Sequence, residues 1–400
     1  MSGRAALREA AEGALRLRAW ALPLLSGAPP SLPPVVGAQA WSVFLAIERC
    51  ALPVRDALAA VDLLEGADET ARSALGARAV NEAMHVLALR REAADVAALL
   101  RRHGWEGVVL KGGAAVLGGG RELDVLDLDL LLPPDQARAL AAVLDQAGYE
   151  RHEADLPPGA PNRHQLAARM RPGGMTVEVH VDLAPLGQNV DFAADTVPLP
   201  QAGLRRLRAA AHLWHVLTHG TLHHPERRGA LRDLLVAASA AGWCAPAELA
   251  EVERRVAAHP RADVLGRMLA MARALAAGEA ADDRFAREAA TAYLLYAFIA
   301  RHRPPTALLL ALGRTAHSLA SGAGEYGRLW VGTHVSAFSR GYVGERRIDR
   351  VLPGLGYAGR SLWRAANLAA AAVPGAWLAG TARALARERQ AAVAARGAAA

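Results

Sequence analysis

The sequence predicts a helix-rich α+β fold, in which a small mixed β-sheet core is embedded between N-terminal and C-terminal helical regions. Much of the 52% hydrophobic content is alanine and only 5% of the residues are aromatic, a composition typical of helices. Apolar residues recur at helical spacing before about residue 105 and after residue 200, whereas between these points they form short alternating runs. We therefore expect four regions: a helical region at 1–105, an α/β core at 106–200, a helical domain at 201–303 and an Arg/Gly/Ala-rich helical region at 304–400.

The N-terminal region contains several helices separated by a proline-rich segment at 27–34, and two short helices are expected at 41–52 and 54–64. Residues 70–103 carry apolar side chains at helical spacing. This segment ends in two arginines, a histidine and a glycine, which are typical of a helix C-terminus. The pattern predicts one long helix before the core.

The core alternates between strand and helix patterns. A short apolar strand at 107–110 leads into Lys111-Gly112-Gly113 and a second strand is expected at 125–132. A helix should follow at 135–147, and Pro172-Gly173-Gly174 should turn a hairpin made of 164–171 and 175–183. Beyond the core, residues 204–219 and 228–241 are expected to be an antiparallel pair of helices, with further helices up to about residue 301.

The net charge, the cysteine content and the lack of long apolar runs limit the kinds of protein that this sequence can encode. The net charge of +7 permits contact with phosphates or anionic lipid without requiring it. Cys50 and Cys244 show no metal-ligand spacing, so we expect two buried, reduced thiols. The N-terminus lacks a signal-like apolar core, and no run reaches the ~18 apolar residues of a membrane span. These observations favour a cytoplasmic location.

Acidic side chains on two predicted strands suggest a metal site. Side chains two apart share one face of a strand, so Asp127 and Asp129 project together while leucines pack behind them. In the second strand of the predicted hairpin, Glu178 and His180 share a face in the same way. Paired carboxylates repel unless a cation lies between them, and oxygen ligands suit Mg²⁺ or Mn²⁺. A third acid on a neighbouring strand would complete a site for phosphoryl chemistry.

The turn after the first strand could bind phosphate. Lys111 is the only lysine, so arginine supplies all the other basic residues. Lysine acts as a compact point charge, and Gly112 and Gly113 let a ligand approach the backbone at the start of a helix. Arg121 could add a further contact to a triphosphate.

Several of these features have simpler interpretations. An Asp-x-Asp pair can be a solvated strand face, and Asp124 could be mistaken for a ligand. We expect His180 to hydrogen-bond to a site carboxylate and hold it in place instead of binding the metal directly. His215, His219 and His223 have spacing that can bind Zn²⁺, but a packed or solvent-facing helix is the favoured interpretation.

Four features together resemble those of the DNA polymerase β-like nucleotidyltransferase superfamily. They are the Leu110-Lys111-Gly112 turn, Arg121, the Asp127-x-Asp129 strand and the Glu178-x-His180 strand. They are most similar to a bacterial branch of largely uncharacterised nucleotidyltransferases, in which Lys-Gly replaces the usual Gly-Ser. The resemblance runs over about residues 81–238. It implies that the α/β core is the nucleotidyltransferase core, with Asp127, Asp129 and Glu178 as catalytic metal ligands. It also implies a phosphate turn formed by Lys111, Gly112 and Gly113.

The resemblance implies a Mg²⁺-dependent (or Mn²⁺-dependent) transfer of a nucleoside monophosphate from a nucleoside triphosphate, such as ATP, to a small molecule, protein or RNA acceptor. Two other classes stay open. One is a non-catalytic nucleotide-binding or regulatory module, and the other is a basic nucleic-acid-binding protein. The second would use C-terminal aromatic and arginine residues, which could instead touch a membrane surface or simply pack: Trp330, Phe338, Arg340, Tyr342, Arg346, Arg347, Trp363 and Arg364.

Overall fold

The computed structural model describes residues 3–151, 165–183, 190–223, 227–302 and 371–385, with single positions at 312, 315, 316, 319, 387, 388 and 391. The C-terminal aromatic and arginine residues named above lie outside the described residues. The helices before residue 303 are α1 (Gly3–Leu25), α2 (Ala38–Glu48), α3 (Ala51–Ala59), α4 (Glu69–Arg102), α5 (Lys111–Leu117), α6 (Pro134–Gln146), α7 (Ala209–Thr218), α8 (Leu231–Gly242), α9 (Pro246–Ala258), α10 (Ala262–Ala277) and α11 (Ala286–His302). Residues 371–385 are also helical.

The strands form one mixed sheet of seven in the order β3-β4-β5-β2-β1-β7-β6. They are β1 (Gly107–Val109), β2 (Asp127–Leu131), β3 (Glu150–Arg151), β4 (Arg169–Met170), β5 (Thr176–His180), β6 (Thr196–Pro198) and β7 (Leu204–Leu207). The central pairs β2–β5 and β1–β7 are parallel, whereas β1–β2 and the outer pairs are antiparallel. This sheet among helices confirms the predicted α+β fold class.

Residue alternation in β2 and β5 decides which face of the sheet is apolar. Leu128 and Leu130 of β2, with Val177 and Val179 of β5, are buried in the main hydrophobic core. Asp129 and Glu178 therefore face the opposite side, as side chains of a pleated strand alternate. The alternation predicted from the sequence thus brings the acidic residues to one face.

The long helix predicted at 70–103 is α4, which spans 34 residues. The side chain of Asp68 accepts a hydrogen bond from the backbone N–H of Ala71 and so caps the helix N-terminus. Arg101 and Arg102 lie in its last turn, where cations interact favourably with the helix dipole. No helix in the described part of the chain is long and apolar enough to cross a membrane.

The prediction of one helix over 204–219 is wrong at its start. Residues Leu204–Leu207 form β7, which pairs in parallel with β1, and α7 begins only at Ala209. Leucines three apart fit a helix, but here they are the buried ends of a four-residue strand. Strand β1 supplies backbone hydrogen-bonding partners for these residues, which the local sequence pattern does not reveal. The helix ends in a π-helical turn at His219–His223.

A buried ionic network joins α1, α2 and α11. Arg18 donates to Glu48 Oε1 (2.7 Å), to Asp283 Oδ2 (3.0 Å) and to the carbonyl of Gly229 (2.8 Å), with its own side chain fully buried. Tyr293 also donates to Glu48. A buried charge of this kind is tolerated only while its partners are present.

We expect Arg18→Ala to lower the free energy of unfolding by about 3–5 kcal/mol, because Glu48 and Asp283 would keep buried charges without their partner. Thermal or denaturant unfolding measures this change. Arg8→Ala is the matched control, since Arg8 forms exposed ion pairs with Glu12 and Glu388 and should alter stability little. Equal effects of the two substitutions would contradict a structural role for the buried network.

Candidate active site

The parallel pairing of β2 with β5 brings two motifs together that are 49 residues apart in sequence. Asp129 lies directly opposite Glu178 in the register, and Asp127 lies opposite Thr176. Adjacent parallel strands are about 4.8 Å apart, so side chains opposite each other on one face are close neighbours. Two carboxylates therefore face each other across the strands.

Asp129 is the centre of this group. Its Oδ1 atom accepts a hydrogen bond from Lys111 Nζ at 2.7 Å and lies 2.8 Å from Nε2 of His180. His180 Nε2 is also 3.8 Å from Glu178 Oε2. The side chain of Asp129 is 3% exposed and that of Lys111 is 16% exposed. The ammonium and the carboxylates thus interact largely out of solvent, where charge–charge interactions are strong.

The charges of the group shift one another's pKa values. Burial and the charge of Asp129 raise the pKa of Glu178 to about 8. Burial alone would raise the pKa of Asp129, but the Lys111 ammonium and His180 outweigh it and hold that pKa well below its usual range. Burial opposes protonation of Lys111, yet Asp129, Asp127 and Glu178 raise its pKa. The ammonium group of Lys111 is thus held among three acidic side chains.

Lys111 adopts a backbone conformation that favours glycine. Its φ is +50°, and it is one of three non-glycine residues with positive φ among those described. A residue with a Cβ there costs about 1 kcal/mol, and such outliers cluster at functional sites. The chain therefore accepts a strained turn that carries an ammonium group.

The two glycines of the turn have different surroundings. A Cβ built on Gly112 would lie 2.6 Å from Nη2 of Arg232, so that guanidinium lies against the Gly112 backbone. A Cβ on Gly113 would lie 3.0 Å from Cγ1 of Val109 in the core. Gly112 thus permits the close approach of a charged side chain, whereas Gly113 permits close packing of α5 on the sheet.

Arg121 is placed differently from the other predicted phosphate-binding residues. Its guanidinium donates to the carbonyl of Leu25 at 3.4 Å, and burial lowers its pKa. None of its hydrogen bonds in the described part of the chain reaches Lys111 or the acids of β2 and β5.

Asp124 binds side chains of the protein. Its buried carboxylate lies 2.7 Å from Arg49 Nε, 3.0 Å from Arg78 Nη2 and 2.6 Å from His85 Nδ1. No sequence pattern indicated Arg49, which donates to this carboxylate, or Arg232, whose Nε donates to the backbone carbonyl of Asp124. The positive φ of Arg49 (+48°) is a feature that only the structure shows.

The histidines of α7 are packed. His212 and His215 are buried, and the His215 ring centre is 5.8 Å from that of His219. Among the described residues, only Asp129, Glu178 and His180 form a group of three potential metal ligands within 4.8 Å. The side chain of His223 lies outside the described residues. The packed interpretation thus fits the described histidines better than a zinc site does.

His212 should make the protein less stable in acid. Its two ring nitrogens are buried without a hydrogen-bond partner in the described residues, and burial, then the charge of Arg206, lowers its pKa to about 3. The unfolded chain takes up a proton below pH ~6.5, whereas the folded protein does so only near pH 3. Stability is therefore lost as the pH falls from 6.5 towards 3.

Replacing His212 with phenylalanine should remove this dependence without removing a hydrogen bond. Between pH 6.5 and 4.5 we expect wild-type protein to lose about 2–3 kcal/mol more than His212→Phe. Urea unfolding at a series of pH values measures the difference. Parallel pH curves for the two proteins would show that His212 is not the neutral buried group described above.

The carboxylates of Asp129 and Glu178 suit a hard divalent cation, whereas the ring nitrogen of His180 hydrogen-bonds to Asp129. Asp129, Glu178 and His180 offer two carboxylate oxygens and a ring nitrogen that all lie within 4.8 Å of one another. Asp127 is not part of this group, although burial and then the Asp129 charge raise its pKa, as expected of crowded acids. A bound cation would reduce the repulsion between these carboxylates and favour their ionised forms.

Comparison with known proteins adds one finding to this geometry. Neither the curated proteins nor the solved structures gave a match to the chain. A family described as "Uncharacterised nucleotidyltransferase" matches residues 46–277, a range that contains α4, the whole sheet and α7 to α10. The match covers more than half of the 400 residues and includes Asp127, Asp129, Glu178 and His180. The chain therefore belongs to this family of uncharacterised nucleotidyltransferases.

Proposed function

We propose that the protein is a divalent-metal-dependent nucleotidyltransferase that transfers the nucleoside monophosphate of a nucleoside triphosphate to a hydroxyl acceptor. A bond forms between the acceptor oxygen and the α-phosphorus, the bond to the β-phosphate oxygen breaks, and pyrophosphate leaves. The observation that carries the proposal is the pairing of Asp129 with Glu178 across parallel strands, with Lys111 hydrogen-bonded to Asp129.

The residues of the site divide between two tasks. Asp127, Asp129 and Glu178 would hold Mg²⁺ or Mn²⁺, with His180 orienting Asp129 through its hydrogen bond. The ion when bound would supply Lewis-acid stabilisation of the charge on the phosphates. Lys111, beside Gly112 and Gly113, would contact the phosphates on the other side of Asp129.

We assign to Glu178 the role of the general base that accepts the proton of the acceptor hydroxyl. Its carboxylate is partly exposed (22% for the side chain), whereas that of Asp129 is buried. Burial and the charge of Asp129 raise the pKa of Glu178, so its carboxylate would take up a proton more readily than an isolated carboxylate does. The proton would pass from the acceptor oxygen to a Glu178 carboxylate oxygen and then to solvent.

A transfer assay tests the proposal. Purified protein would be incubated with each of four α-labelled nucleoside triphosphates and Mg²⁺, alone and with cell extract as a source of acceptors. Pyrophosphate release would be measured, and mass spectrometry would detect added nucleotide mass. The control is the Asp127→Asn/Asp129→Asn double variant, which keeps side-chain size and removes the two charges.

Transfer by wild-type protein that depends on Mg²⁺ and is lost in the double variant would support the proposal. Labelling that survives in the double variant would exclude these carboxylates as the reaction centre. Tight nucleotide binding with no pyrophosphate release under any condition would instead favour a non-catalytic nucleotide-binding module.

A further inference from the structure

Two arginines from separate helical regions meet beside the Lys111-Gly112 turn. Arg49 directly follows α2, and Arg232 lies in the first turn of α8. Arg49 Nε donates to the Asp124 carboxylate, and Arg232 Nε donates to the Asp124 carbonyl at 3.0 Å. One residue thus holds two guanidinium groups next to the strand that carries Asp127.

Both arginines are rigidly anchored. Glu48, which precedes Arg49, accepts a hydrogen bond from the backbone N–H of Leu231, which precedes Arg232. Arg18 bridges Glu48 and the carbonyl of Gly229. The backbone positions of the two arginines are therefore tied to each other through a buried network, which reduces the entropy lost when a ligand binds.

Each guanidinium keeps a donor nitrogen for a ligand. Arg49 uses Nε and Nη2 for Asp124, and Arg232 uses Nε for Asp124 and Nη1 for Asp233. Within the described residues, Arg49 Nη1 and Arg232 Nη2 have no hydrogen-bond acceptor. Arg232 Nη2 is also the atom that lies against Gly112.

The two arginines repel each other, although the charges of Asp233, Asp127 and Asp124 outweigh burial and raise the pKa of Arg232. Burial lowers the pKa of Arg49, and the next cause is the charge of Arg232, so the two cations repel each other. With Lys111, the same two arginines are the positive charges that act on Asp127. An anion between Arg49, Arg232 and Lys111 would relieve the repulsion and form charge-assisted hydrogen bonds with the free donors.

We propose that Arg49 and Arg232, together with Lys111, bind the β- and γ-phosphates of the nucleoside triphosphate, and that Asp124 is the residue that positions both arginines. This inference rests on the proposed function, because a nucleoside triphosphate is the ligand. It assigns the triphosphate tail to the junction of the N-terminal helices and α8, outside the sheet.

Binding of inorganic tripolyphosphate tests the inference without any turnover. Calorimetry would compare tripolyphosphate, the nucleoside triphosphates and the matching monophosphates on wild type, Arg49→Gln and Arg232→Gln. The matched control is Arg90→Gln, since Arg90 is an exposed arginine on α4 paired with Glu122. We expect each site substitution to weaken tripolyphosphate and triphosphate binding by at least about tenfold while monophosphate binding stays unchanged.

Gly112→Ala supplies an independent variant. The added Cβ would lie 2.6 Å from Arg232 Nη2 and 3.2 Å from a methyl group of Val125, so it should displace the Arg232 guanidinium. It should weaken tripolyphosphate binding in the same direction as Arg232→Gln. If a glutamine variant fails to fold, as judged by circular dichroism, Arg49→Lys and Arg232→Lys keep the charge and should still weaken binding.

The outcomes separate the two proposals. Wild-type protein that does not bind tripolyphosphate, or arginine variants that bind it as wild type does, would overturn the inference. Arginine-dependent binding in a protein that never releases pyrophosphate would keep the inference and overturn the proposed transfer. Transfer activity that is insensitive to Arg49 and Arg232 would keep the transfer and overturn the inference.

Discussion

Asp129→Asn is expected to reduce nucleotidyl transfer by at least about a thousandfold, the largest effect of any single substitution in this protein. Asp129 is the shared acceptor for Lys111 and His180 and lies opposite Glu178, so one substitution disturbs every charge of the group. Asparagine keeps the size of the side chain but lacks the charge that holds a cation. Initial rates with saturating nucleoside triphosphate and Mg²⁺ measure the loss.

The control for this substitution is Asp135→Asn. Asp135 lies in the first turn of α6 with its side chain 95% exposed and pairs only with Arg138 among the described ion pairs. It should retain wild-type activity. A small loss in Asp129→Asn, comparable with that of Asp135→Asn, would remove Asp129 from the reaction centre, whatever the effect on stability.

Lys111→Ala is expected to lower activity by at least about a hundredfold, because the ammonium that neutralises Asp129 and would contact the phosphates is lost. The same substitution should destabilise the protein, since it leaves the buried Asp129 carboxylate with His180 but without the ammonium that neutralises it. Rates and thermal unfolding of the same preparation separate the two effects.

Lys111→Gly distinguishes the loss of charge from backbone strain. Glycine tolerates φ near +50° without penalty, so this variant should be more stable than Lys111→Ala by about 1 kcal/mol. Both variants lack the ammonium and should be equally inactive. Activity restored by glycine would mean that the turn geometry, and not the lysine charge, is what the site requires. Lys111→Arg keeps a charge of different shape and should recover only part of the activity.

Local patterns predicted much of the fold. The two-residue alternation in β2 and β5 indicated which side chains share a face. The helical spacing of apolar residues predicted α4, and the basic residues and glycine that follow predicted where it ends. The change of period near residue 105 separated the sheet from the helices. These features depend on neighbours within a few residues, which is why the sequence alone reveals them.

Longer-range features needed the folded chain. Whether Leu204–Leu207 is strand or helix depended on a hydrogen-bonding partner almost 100 residues earlier, in β1. Cys244 was expected to be buried, but it is only half-buried in the connection between α8 and α9, while Cys50 is fully buried. Such outcomes follow from packing between elements, which local propensity does not encode.

The sequence by itself determined which reactive side chains the site contains: a single lysine beside two glycines, an Asp-x-Asp strand and a Glu-x-His strand. Only the tertiary structure decided how these groups meet. The parallel register sets Asp129 opposite Glu178, the turn bends Lys111 onto Asp129, and Asp124 gathers Arg49 and Arg232 from distant helices. The physical reason is that alternation is a local property of the backbone, whereas strand register and buried ion pairs are chosen by the packing of the whole chain.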